Sequence, residues 1–389
     1  AHDIQCDLPS QMYYAVQLYF ANGGTVAWVV SVAKSSNVLT QLPSYADYEA
    51  GLDALERVPQ VTLMYFPDQL GLESGTRYDV VVDALSRCQS RQDRFLVADV
   101  DFEAYEEFRN GIGTSNLAWG AAYSPDLKTN FPQQVLDDHV SFAFNGTFQD
   151  AGVSAIVAEK TLDKVLLKKA TNQDIAAIVT SQWLANLRSA LAMHATATVH
   201  PGGAALGVIA TTDLSKGVWN APANVALSGV VAPASAISDL MHSELNVPAD
   251  GFGKSINAIR QFTGRGTLVW GARTLDGNSN DWRFIQVRRT VIYIAQSLKN
   301  ALQQMVFEPN DASTWARVRG MTEAFLGNVW RDGGLAGAKP DDAFGVQCGL
   351  GQSMTSDDIL NGKLVVNIAI AVTRPAEYIF ITLTQSVSS

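Results

Sequence analysis

Between Val269 and Arg289 the chain reads VWGARTLDGNSNDWRFIQVRR: an apolar run, a turn-rich middle, then the start of a helical stripe. The stretch holds two tryptophans, Trp270 and Trp282, and four arginines, Arg273, Arg283, Arg288 and Arg289, with no recognisable catalytic pairing. Downstream, Phe284, Val287, Val291, Ile294, Leu298, Leu302 and Met305 recur at three- and four-residue steps, which predicts one amphipathic helix. Pro309 closes it, and Asn310 or Asp311 can cap the next helix. That second helix has Trp315, Val318, Phe325, Leu326 and Val329 on its apolar face and stops at Gly333-Gly334. The runs AFGVQCG, KLVVNIAIAV and AEYIFITLT then read as strands, so residues 276–389 form an α+β unit.

Working back toward the start, the pattern changes to alternating strand and helix. Residues 9–22 predict a helix with Tyr13, Val16, Leu18 and Phe20 on its face and Ser10 as cap, and TVAWVVSVA predicts a buried strand after it. YEAGLDALERV and TRYDVVVDALSRCQSR read as helices, VTLMYFP and RFLVADV as strands. Such alternation implies a mostly parallel sheet covered on both faces, an α/β domain over residues 1–275. Between 101 and 200 the pattern loosens: SNLAWGAAYSP and HVSFAFNGTF read as strands, and NQDIAAIVTSQWLANLRSALAMHA as one long helix. A Gly/Ala/Pro-rich passage follows, with short β-like runs near 226–231 and 267–271.

With 389 residues, 47% of them hydrophobic, the chain can fill one large core or two moderate ones. It has no apolar run long enough for a membrane-spanning helix. The opening AHDIQCDLPSQMYY lacks a basic-then-apolar export signal, so Cys6, Cys88 and Cys348 are expected as reduced thiols. The formal charge of −10 argues against a nucleic-acid partner, yet residues 281–340 carry eight basic and five acidic side chains. Gly253-Lys254-Ser255 ends like a phosphate-binding loop, but Pro248 stands where its first glycine belongs. His2, His139, His194, His200 and His242 show no metal spacing, and no serine sits in a nucleophile elbow. Asp137-Asp138, Asp341-Asp342 and Asp357-Asp358 are adjacent in sequence and point apart. The sequon Asn145-Gly146-Thr147 reads as a turn. No catalytic, cofactor-binding or metal-binding set emerges.

The stretch GKSINAIRQFTGRGTLVWGARTL, continued by DWRFIQVRRTVIYIAQSLKNALQQMVFEPNDASTWARVR, resembles the signature of contractile tail sheath proteins, found in myophages, R-type bacteriocins and extracellular contractile injection particles. YAVQLYFANGGTVAWVVSV resembles that family's early helix and strand, GVIATTDLSKGVWNAPAN its G-x-W-x-A-P-A-N segment, and LVVNIAIAVTRPAEYIFITLT its closing strands. These matches fall in the family's order. Trp270, Arg273, Arg283, Arg288 and Arg289 belong to the central motif, and Arg and Trp enrichment is typical of interface anchors. Residues 101–200 match nothing and read as a variable, outward-facing region. Members usually begin with a longer N-terminal part, including an arm; this chain opens at the early helix.

The resemblance implies a subtilisin-like outer domain over 1–275 and a C-terminal sheath core domain over 276–389 that faces an inner tube. It implies a helical homopolymer that contracts, with the inner tail tube, baseplate and tail-terminator proteins as partners. Cofactors, nucleic acid and membrane contact are not implied. The particle would be a virion tail or tail-like machine assembled in the bacterial cytoplasm. Arg317, Arg319 and Arg331 are the exposed tube-facing candidates. In the last strand Tyr378, Phe380 and Thr382 alternate with Ile379, Ile381 and Leu383, so both faces are partly apolar and pairing with a neighbouring subunit is expected. The alternative is an α/β hydrolase-type or ligand-binding enzyme using the carboxyl edge of the parallel sheet.

Overall fold

Short apolar faces and local caps set the first elements. The computed structural model describes residues 11–32, 43–73, 75–132, 137, 140–142, 151–194, 196–248 and 254–377. Helix α1 (Met12–Ala21) buries Tyr14, Ala15 and Leu18 and leaves Tyr13 and Phe20 about half exposed, so its inner face is rotated from the expected one. Helix α2 (Tyr45–Leu55) starts on a reciprocal cap between Ser44 and Asp47. Strand β1 (Leu63–Tyr65), helix α3 (Asp79–Arg91) and strand β2 (Phe95–Asp99) follow in the predicted alternation, and helix α4 (Tyr105–Gly111), absent from the expected pattern, leads to strand β3 (Gly120–Ser124).

The run TVAWVVSVA does not form the buried strand that its composition suggests. Residues 25–32 join no sheet among the described residues, and Val26, Trp28 and Val29 are 68%, 59% and 64% exposed. Val30 and Val32 lean on Gly51 of α2 instead, and the Tyr19 hydroxyl donates to the Val26 carbonyl. Side chains, not a backbone ladder, make the contact.

An insertion leaves the sheet at β4 (Leu127–Pro132) and returns at β5 (Thr196–Val199). Between them lie α5 (Ala151–Ala158), α6 (Leu162–Thr171), α7 (Gln173–Ile178) and α8 (Ser181–His194). The single long helix expected here is broken into α7 and α8 at Val179–Thr180, because the Thr180 hydroxyl accepts from the Trp183 amide and starts a new helix. Of the strand expected in HVSFAFNGTF only residues 140–142 are described, and there Ser141 bridges Thr161; the rest lies outside the described residues. The Gly/Ala-rich passage becomes helix α9 (Gly202–Lys216). A methyl group on Gly203 would stand 2.4 Å from the Ala15 carbonyl oxygen, so only glycine lets α9 lie directly on α1.

Strands β6 (Val225–Ala226) and β7 (Val230–Pro233), helix α10 (Asp239–Asn246) and the hairpin β8 (Ile256–Phe262) with β9 (Gly266–Trp270) complete the first part. Among the described residues six strands form one sheet in the order β1-β2-β3-β8-β9-β6. The run from β1 to β8 is parallel, and β9 and β6 are antiparallel to their neighbours. A second, three-stranded sheet runs β5-β4-β7.

Helix α11 (Ile285–Leu302) carries the predicted stripe, and α12 (Ala312–Arg331) starts at Asp311, whose carboxylate accepts from the amides of Ser313 and Thr314. A short turn of helix α13 (Pro340–Ala343), strand β10 (Phe344–Gln347), helix α14 (Ser356–Leu360) and strand β11 (Asn367–Ile370) follow; β10 and β11 pair antiparallel. Ile285 and Ile292 belong to the core around the large sheet, whereas Ile294 and Leu298 pack with Leu326, Val329 and Leu335. One continuous helix therefore joins two cores in a mixed α and β fold. Among the described residues no helix is long and apolar enough to cross a membrane. Ser10, His2, Cys6, Asp138, His139, the Asn145 sequon, Gly253 and the strand Tyr378–Leu383 lie outside the described residues.

Candidate functional site

The turn-rich middle of VWGARTLDGNSNDWRFIQVRR folds back so that Arg273 and Phe284 bridge, which delivers the motif arginines to the junction between the large sheet and α11. Arg273, 4% exposed, forms a two-pronged pair with Glu377: Nε to Oε1 at 2.8 Å and Nη2 to Oε2 at 2.5 Å. Asn246 also donates to Glu377, at 2.8 Å, and these partners hold its carboxyl below the usual range against the opposing effect of burial. The backbone of Arg273 is fixed by Asn257 on β8, whose side chain both accepts from its amide and donates to its carbonyl. Arg288 lies between two indoles, its guanidinium carbon 3.5 Å from the Trp282 ring centre and 4.3 Å from that of Trp119. Burial lowers its pKa to about 10, and its Nε donates to the Ala118 carbonyl. Arg289 pairs with Asp213 on α9 through both terminal nitrogens.

Arg273, Arg288 and Arg289 are thus satisfied within the chain. Within the chain they tie α11 to α9 and to the turn before β3, and the C-terminal segment to the stretch after β9. Arg283 is half-buried, with its Nε on the Ser279 carbonyl, and Trp270 packs on Phe262 with ring centres 4.5 Å apart. The tube-facing candidates are exposed on α12, as expected, but each has a local partner: Arg317 with Glu308 at 2.8 Å, Arg319 with Glu323 at 3.8 Å, and Arg331 with Asn328. Lys254 is buried and its ammonium donates to the Arg109 carbonyl, so it is engaged within the chain.

Two open features remain near this junction. An apolar groove of about 1230 Å³ separates α11 from the β10–β11 sheet, lined by Val291, Leu298, Leu302, Val366, Ile368 and Ile370. Strand β11 pairs with β10 on one edge, and among the described residues no strand occupies the other. At the groove's rim Phe307 is fully exposed at φ 71°, a backbone conformation unusual for a bulky side chain.

A polar cluster that the sequence reading missed lies at the carboxyl ends of β1 and β2. His200 Nδ1 is 2.7 Å from Asp126 Oδ1, and buried Asp99 accepts from the Tyr65 hydroxyl at 2.5 Å and the Gly202 amide at 2.7 Å. Asp126 and His200 are 74 residues apart, so no local spacing could have joined them.

Residues 278–386 match a family model described as the phage tail sheath C-terminal domain. A curated relative, the tail sheath protein of Burkholderia phage BcepMu, is 31% identical over 140 residues, which are 35% of this chain and 29% of that protein. The match thus spans less than a third of the relative's length. Among solved structures, a chain of the anti-feeding prophage baseplate superposes with a TM-score of 0.67 at 28% identity, covering 96% of this chain and 80% of the other. A chain of the PVC sheath complex, an extracellular contractile injection system in its contracted state, gives 0.65 at 28% identity, covering 98% and 82%. The contracted helical sheath of the anti-feeding prophage gives 0.65 at 28%, covering 98% and 84%.

Proposed function

We propose, from the chain's membership of the contractile tail sheath proteins, that it is the repeating subunit of a tube-shaped sheath that polymerises helically around an inner tube and contracts to drive that tube through a target cell envelope. The likeness along nearly the whole chain to chains of contractile particles carries this reading. Heterologous contacts that do not close generate an open helix, which suits such a subunit. Assembly in a high-energy extended arrangement stores the free energy that contraction releases, so no nucleotide is required. Relatives of this kind are structural proteins, which removes the support for the α/β hydrolase-type or ligand-binding alternative.

In this reading residues 1–275 are the outer, subtilisin-like domain, with 101–200 at large radius, and residues 276–389 are the core domain. Arg317, Arg319 and Arg331 face the inner tube, where weak, salt-sensitive contacts suit a partner that must be carried or released. Baseplate and tail-terminator proteins cap the two ends, and assembly takes place in the bacterial cytoplasm. Electron microscopy of the purified protein tests the core of this: striated hollow tubes are expected, while dispersed monomers whose melting responds to a small ligand would return the enzyme.

The strand Tyr378–Leu383 leaves its own fold to pair with a neighbour's sheet. Two features support this: an edge of β11 that no strand occupies among the described residues, beside an apolar groove, and the clamp of Arg273 on Glu377 at the end of the described chain. Truncation after Glu377 keeps the clamp. A folded, soluble subunit that no longer forms sheaths is expected, and normal sheaths would refute the exchange.

A further inference from the structure

From Gln11 to Val32 the chain holds no charged side chain, although 17% of its residues are charged. Much of this stretch nevertheless lies at the surface. On α1 Tyr13 and Phe20 are about half exposed, and Val26, Trp28 and Val29 stand out from a segment that joins no sheet among the described residues. A cavity of about 850 Å³ gathers part of it into one patch: Val16 and Tyr19 of α1 line it with Val26, Trp28 and Val29, and so does Leu214 of α9, itself 80% exposed. The charged groups beside the cavity are engaged within the chain, Arg289 with Asp213 and Asp68 with the Gln11 amide. Its other wall is β1, the end strand of the large sheet among the described residues.

We propose, on the sheath reading above, that this uncharged patch is a contact between subunits, covered in the assembled sheath by a second copy of this chain. Interface centres are depleted of charge and enriched in Trp and Tyr, as residues 11–32 are. A subunit that keeps so many large apolar side chains in water is prone to associate, which suits a chain that polymerises. Number and place identify the cover. Every subunit carries the patch, so whatever covers it must be present once per subunit, which baseplate and tail-terminator proteins are not. In the same reading the inner tube meets residues 276–389, whereas the patch lies within 1–275. Another copy remains. It covers the patch with a different surface of its own, because a contact of the patch with itself would close a dimer, and a heterologous contact continues the helix.

A carboxylate placed in the patch separates folding from assembly. Val26 and Val29 are exposed and lie on no helix or strand, so a glutamate there stays hydrated in the free subunit. Under a second copy the same group would be a buried charge without a partner.

Val26→Glu and Val29→Glu should therefore melt within about 2 °C of the wild type, while the protein concentration needed to form sheaths rises by about tenfold or more. Folded variants that form sheaths at the wild-type concentration would overturn the contact and leave the sheath reading standing. A wild-type chain that forms no polymer at any concentration would overturn both. Amide hydrogen exchange on the wild type decides the matter even if both variants fail to fold. Peptides covering residues 25–32 should exchange about tenfold or more slowly in sheaths than in the dilute subunit. Equal rates in the two would overturn the contact, and so would full protection already in the dilute subunit, which would mean that the segment closes onto β1 of its own chain.

Discussion

Around α11, each buried guanidinium meets a carboxylate, an indole or a carbonyl in one geometry, whereas between β4 and β5 four short helices close a small apolar core of their own. The two regions are held by different physics. A buried charge with a two-pronged partner tolerates almost no substitution, since removing one member strands the other. A small core of Val, Ile and Leu accepts many apolar sets of similar volume. The first region therefore keeps a recognisable motif, and the second has none although it folds as regularly.

Arg273→Ala should separate the regions most sharply. It leaves Glu377, only 22% exposed at its side chain, with Asn246 alone, and a loss of about 3 kcal/mol in denaturant unfolding is expected. A loss well below about 1 kcal/mol would mean that the seam is not held by its charges. Ile175→Val, in the lobe, should lower stability by about 1 kcal/mol, and only in a separate early transition. If the main transition moves as far, the lobe is not an independent unit. The smallest effect belongs to Arg317→Ala: its partner Glu308 is 41% exposed, and monomer stability should stay within about 0.5 kcal/mol. If Arg317 faces an inner tube as proposed, any loss should appear only in assembly, as a salt-dependent change in the fraction of protein in sheaths.

Much of the fold is legible where one periodicity dominates. The stripe from Phe284 to Leu298, the Asp311 cap and the parallel run β1-β2-β3 follow from apolar spacing and cap chemistry alone. TVAWVVSVA misleads because composition reports that a segment is apolar and extended, not whether a partner edge lies within hydrogen-bonding reach. The break at Thr180 is hidden because a hydroxyl that caps one helix also fits inside another. Helix α9 read only as a Gly/Ala/Pro-rich passage, and only the closeness of α1 explains Gly203. At the site, the motif arginines were visible as residues but not as pairs: Arg273 and Glu377 are 104 positions apart, and Arg289 and Asp213 76.

The clamp on Glu377 also defines a load path. Tension on the chain beyond it would pass through the Arg273 guanidinium into a backbone that Asn257 holds on both sides. Asn257 lies on β8, between β3 and β9, and donates to the Ala122 carbonyl as well. Force would therefore reach the stiff middle of the six-stranded sheet rather than peel β11 from β10, and a hard-pulled subunit would move as a rigid body before it frayed.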